Sequence, residues 1–150
     1  MTHQSIHPLG SDAPATDQVG LAMNAIAAGW SLAVGLLAIV TYVAGNLASR
    51  SGATTIKDVS PDDPQVNVMV YGVMISLSLA FALAWILMRP VASSFRRFGL
   101  SMVAALGGFL FAMIFTFVAR QAVGATALLA LAILAAGVTW LLMRRARAAA

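Results

Sequence analysis

Four runs of apolar residues dominate this chain, from Gly20 to Ala48, Val66 to Met88, Gly99 to Ala119 and Ala122 to Met143, and none is interrupted by Asp, Glu, Lys, Arg or His. A helix crosses the hydrocarbon core of a bilayer with about 20 residues at about 1.5 Å rise each. Each run meets that length. The pattern predicts an all-α, polytopic membrane protein, a four-transmembrane-helix bundle of two antiparallel hairpins with helices at about 20–48, 61–88, 95–119 and 122–144. Residues 1–16 hold His3, His7, Pro8 and Pro14 without apolar periodicity and read as a disordered cytoplasmic tail. Residues 17–150 read as the transmembrane domain.

Within the runs, small residues mark where helices should meet, because lipid supplies little hydrophobic drive and close backbone approach must supply the attraction instead. In the first helix Asn24, Ala28, Ser31, Gly35, Ala38, Tyr42 and Gly45 alternate steps of 4 and 3, a heptad seam. Its opposite side, with Ile26, Trp30, Leu37 and Val40, is expected to face lipid. The second helix repeats Gly72, Ser76, Ala80 and Ala84 at every fourth residue. In the third, Ser101, Ala105, Gly108, Ala112 and Thr116 share a packing face, and Met102, Val103, Leu106, Leu110, Met113 and Phe117 share a lipid face. The fourth, rich in Ala and Leu all round, shows no clear face.

Helix ends carry their own signals. Ser60 is placed to cap the second helix with Pro61 at its first position and Asp63 at its third, where a carboxylate meets free amides and the positive helix end. Asp58, Asp62 and Asp63 offer a weaker alternative as cation ligands, since the loop lacks the spacing of a calcium site. Pro90 stops the second helix. Ser93 to Phe98 then forms an interfacial turn, with the guanidinium groups of Arg96 and Arg97 at phosphate level. The last connection, Arg120 to Gly124, is short enough to force a tight antiparallel pair, and Arg120 either snorkels to the interface or points inward.

Charge sets an orientation. With both termini inside, the cytoplasmic side holds Arg89, Arg96, Arg97, Arg144, Arg145 and Arg147, and the other side Arg50, Lys57 and Arg120. The positive-inside bias favours this arrangement. Trp85 and Trp140 each precede a basic residue, Arg89 and Arg144, by one helical turn, as aromatic belt residues do, and Trp30 is assigned to the same belt. These arginines and tryptophans are the expected headgroup and topology anchors. The two helices that end inside also share a local echo, Leu79-Ala80 with Trp85-Ile86-Leu87-Met88-Arg89 against Leu134-Ala135 with Trp140-Leu141-Leu142-Met143-Arg144.

Composition sharpens the class. The chain is 61% hydrophobic and 9% charged, where a soluble domain carries about 25% charged residues. Its net charge of +4 comes from residues at helix ends, which argues against nucleic acid as a partner. The expected partners are the lipid bilayer and other membrane protein subunits, or a second copy. The first apolar run far exceeds a signal-peptide core and no Lys or Arg precedes it, so it should remain in the mature protein. There is no cysteine, hence no disulfide or thiolate site. Abundant alanine, and arginine in place of lysine, suggest a GC-rich bacterial genome, and with it the inner membrane.

Function is approached by exclusion. Ion and proton transport, cofactor ligation and catalysis in a membrane ordinarily need an ionisable or ligating group at depth, and the spans offer none. His3 and His7 have helical ligand spacing but no third ligand, so neither metal nor cofactor is expected. In size and helix count the chain resembles the small multidrug exporters, but those depend on a glutamate in the first span, and no glutamate occurs here. The expectation is a non-catalytic structural, accessory or assembly subunit that packs through its small-residue faces. The alternative is a small oligomeric channel, holin-like pore or carrier for a neutral or lipidic solute, lined by the seam's hydroxyl and amide groups.

Overall fold

The computed structural model describes residues 15–52, 60–91 and 93–148, with side chains from Gln18 onward. His3, His7, Lys57, Asp58 and nearly all of the expected tail lie outside these residues. The described chain is all-helical: α1 (Ala15–Ser51), α2 (Pro64–Leu87), α3 (Ser94–Val123) and α4 (Ala125–Ala148). All four are long and apolar enough to cross a membrane.

α1 runs from Ala15 to Ser51 against an expected 20–48, α4 ends at Ala148 against an expected 144, and two further boundaries differ, each for a local reason. α2 starts at Pro64, with Asp63 extended (φ −66°, ψ 140°) as its cap residue, three positions later than Ser60. A proline disfavours helical geometry in the residue before it, so a helix begun at Pro61 could not pass through Asp63. The Asp63 carboxylate instead accepts from the Ser60 amide at 2.8 Å and from the Gln65 side chain at 3.2 Å. At the other boundary, α3 runs on through Arg120 to Val123, residues with no quarrel with a helix, and only Gly124 breaks it. Gly124 has φ 95°, a conformation that glycine alone adopts without strain, and its amide closes the last turn onto the Arg120 carbonyl at 3.0 Å.

The helices gather round α1, which packs against all three of the others. Gly29 lies against Ala80, Ala84 and Ala104, Gly35 against Ala132 and Ala135, and Val40 against Gly72. Along α1 the core divides into three clusters. Ala25 packs with Ala84, Met88, Val91 and Ala104; Val34 and Leu37 with Ala112 and Ala135; Ala38 with Leu128 and Ala132. Most of these contacts are alanine on alanine or glycine, so dispersion between closely approached backbones carries the packing.

That arrangement overturns the lipid face assigned to α1. Leu37 is 3% exposed, Ile26 packs on the first cluster, and Val40 fills the notch over Gly72. Trp30 lies over Gly107 and Gly108. The exposed apolar side chains of α1 are others, among them Met23 at 66%, Ile39 at 45% and Val43 at 40% exposed. Val40 and Trp30 are received by glycines of α2 and α3, and the small side chains of α1 meet the alanines of its neighbours.

α4 does have a face, contrary to expectation: Leu128, Ala132, Ala135, Thr139 and Ala146 are buried. The steps of 4, 3, 4 and 7 form a heptad stripe. Surplus alanines at 127, 130 and 136 hide it in the sequence.

Candidate functional site

Small-residue seams come together within this one chain. Ala28, Gly35, Ala38, Ser76, Ala80, Ala84, Ser101, Ala105, Gly108, Ala112 and Thr116 are buried, and Asn24, Ser31, Tyr42, Gly45 and Gly72 are partly so. Gly45 alone of these glycines has open space where a side chain would project. Faces nominated for a partner are therefore largely occupied by the chain's own helices. The outward surface is bulky instead. Val103, Leu106, Leu110, Met113 and Phe117 of α3 are more than half exposed.

Hydroxyl groups along the seams are directed at backbone carbonyls. Ser76 donates to Gly72 at 2.7 Å, Ser101 to Arg97 at 2.8 Å, Thr116 to Ala112 at 2.7 Å and Thr139 to Ala135 at 2.8 Å, each one turn back on its own helix. Ser31 reaches across instead and donates to the Ala135 carbonyl of α4 at 2.7 Å. Such bonds satisfy a polar group in an apolar interior and take it away from any passing solute.

The α2–α3 turn is the most elaborated polar site. α2 ends before Pro90, and the turn that follows exposes backbone carbonyls that no longer belong to a helix. Arg97 returns to them: one guanidinium nitrogen donates to Arg89 and Val91 carbonyls, each at 2.8 Å. The same group lies 5.3 Å from the ring centre of Trp85, which stacks in turn on Phe81. Its Nε is shielded from solvent with no hydrogen-bond partner among the described residues. Ser93 caps α3 by accepting from the Arg96 amide at 3.4 Å. Arg97 thus clamps the start of α3 to the turn after α2, a role not expected of it. Arg89, Arg96, Arg144, Arg145 and Arg147 are exposed, as headgroup anchors require.

Of the three tryptophans, Trp85 and Trp140 stand beside arginines, Trp140 at 5.7 Å from Arg144. Trp30 does not. Its ring occupies the space that two consecutive glycines leave on α3, its N–H donates to the Val103 carbonyl at 3.3 Å, and it stacks on Phe111. The glycine notch thus satisfies the polar edge of the Trp30 indole within the bundle, a packing role beyond the belt assignment. No sequence signal short of the Gly107-Gly108 pair pointed to this.

Grooves open between the helices, three of them lined by described residues. One of 330 Å³, lined by Trp30, Ser31 and Val34 of α1, Phe111 and Phe115 of α3 and Leu134 of α4, is almost wholly apolar. A second, of 230 Å³ near the α3–α4 turn, brings Tyr42, Asn46 and Ser49 beside Arg120, whose side chain is exposed. The third, of 450 Å³, lies beside the α2–α3 turn. Among the described residues no three His, Cys, Asp or Glu side chains come together in a way that could hold a metal.

Geometry and composition together define the class: an all-helical chain whose four helices fit a multi-pass membrane protein. Compared with protein-family models, curated proteins and solved structures, the chain has no match.

Proposed function

We propose that this chain is a non-catalytic accessory or assembly subunit of the bacterial inner membrane, with two antiparallel helical hairpins and both termini in the cytoplasm. One observation carries the reading. Small residues and seam hydroxyls are engaged inside the bundle, while α3 turns a continuous wall of Val, Leu, Met and Phe outward. A chain built this way supplies shape and apolar surface, so its partner contacts fall on outward faces and not on the small-residue seams. Purification in mild detergent followed by native mass spectrometry tests it. A defined larger membrane partner is expected; a lone monomer or homo-oligomer overturns the reading. Reporter fusions at residue 57 and at the C-terminus test orientation, which fails if residue 57 reports cytoplasmic.

The alternative, a pore or carrier for a neutral or lipidic solute, is favoured by the apolar groove between α1, α3 and α4. Solute flux into liposomes that contain only the purified chain would establish it. Absence of flux removes it.

A further inference from the structure

Ala25 packs level with Met88 and Val91, where α2 has ended, so the α1 residues before it run beyond that end. Gln18 lies seven residues earlier, about 10 Å along the helix. There the first turns of α3 and Val91 of the α2–α3 turn lie beside α1, and a groove of 450 Å³ opens between them. Val19, Met23, Ile26 and Leu100 form its apolar walls, and Gln18 and Arg96 its polar rim. Val19 is 60% and Met23 66% exposed, at the level of the basic turn. Arg97, the neighbouring cation, already donates to the Arg89 and Val91 carbonyls of the turn after α2. Arg96 lines the groove.

We propose that this groove seats one anionic phospholipid, its phosphate on the Arg96 guanidinium and one acyl chain along Met23 and Ile26. Charge decides the occupant. An apolar trough at interfacial depth takes an acyl chain, and a guanidinium at its mouth matches the two oxygens of a phosphate in a way that a zwitterionic headgroup, with its own cation, offsets. A partner helix would leave that guanidinium without a counter-charge. This inference rests on the membrane reading above and goes beyond a general headgroup anchor, because it specifies one site and one lipid.

The experiment is native mass spectrometry of the full chain from a non-ionic detergent, supplied with phosphatidylglycerol and phosphatidylcholine of equal chain length. The first phosphatidylglycerol adduct should be preferred about fivefold, the effect of one cation near an anionic lipid. Arg96→Gln should lose the preference with helix content unchanged, and Ala22→Trp, which fills the groove, should lose the adduct. Arg89→Gln should keep both. Equal preference in wild type and R96Q overturns the proposal, as does equal loss in R89Q, or displacement of the lipid by inorganic phosphate. Flotation with vesicles of each lipid separates the failures: a chain that floats without preference sinks this proposal alone, and one that floats with neither sinks the membrane reading as well.

Discussion

The C-terminal ends of α2 and α4 carry nearly the same residues, Trp85-Ile86-Leu87-Met88-Arg89 and Trp140-Leu141-Leu142-Met143-Arg144, yet they live in different surroundings. Both helices bury the equivalent positions Ala80 and Ala135, and Ala84 and Thr139, against their neighbours. Beyond those positions they part. Met88 is fully buried in the first core cluster, while Met143 is only partly covered. Trp85 is half-buried under the clamp of Arg97 from α3, whereas Trp140 is 59% exposed with only Arg144 of its own helix over it. At α2 a chain that turns back brings α3 and the start of α1 against the helix end. At α4, Trp140 stays exposed among the described residues. One local sequence thus gives a packed joint in one place and an exposed helix end in the other.

Substitutions at paired positions should break that comparison most where burial differs most. Met88→Ala leaves a cavity in a packed cluster and should cost about 3 kcal/mol, with Met143→Ala well below it, measured by unfolding in mixed micelles of increasing SDS content. Equal losses would mean that the two ends are covered alike.

Gly72→Ala gives α2 the alanine that α4 carries at the equivalent Ala127, and its Cβ would fall 2.5 Å from a Val40 methyl. Val40 is β-branched and cannot rotate aside freely, so a loss of about 2 kcal/mol is expected. Val40→Ala in the same chain should restore most of it. Failure of that rescue in the same SDS titration would place the strain elsewhere.

Arg97→Gln removes the donor from two carbonyls and should cost about 1 kcal/mol, since interfacial water replaces part of the loss. Arg144→Gln should change stability by less than about 0.5 kcal/mol. Among the rings, Trp85→Leu should lose about 0.5 kcal/mol of cation–π attraction. In variants that keep a single tryptophan, aqueous acrylamide should quench Trp140 more strongly than Trp85. The reverse order would refute the difference in cover on which the comparison stands.

Much of this fold is legible along the chain. Helix existence follows from run length, since a bilayer-crossing run must satisfy its backbone internally. The end of α2 is written in Pro90, and the break between α3 and α4 lies at a glycine. Ser101, Ala105, Gly108, Ala112 and Thr116 are one buried stripe whose spacing is visible without coordinates. What escaped depended on neighbours. The lipid face expected on α1 at Ile26, Trp30, Leu37 and Val40 is packed because three helices touch α1, a count that no pattern within α1 can state. The stripe on α4 was hidden by alanines that share its size but not its side of the helix. As for the candidate site, Arg97 is plain in the sequence, but its acceptors are main-chain carbonyls, which every residue has and none advertises.

By itself, then, the sequence determined that four helices form and, apart from the start of α2 and the α3–α4 turn, nearly where they stop, because hydrophobic length, proline and glycine act on the chain locally. Tertiary structure alone decided that α1 lies at the centre, that the small faces meet one another, that Trp30 enters the notch of Gly107 and Gly108, and which of two matching Trp-Arg ends is clamped. Those outcomes hinge on which surfaces come opposite one another. Close approach between small residues is a property of the pair, and no single helix carries it.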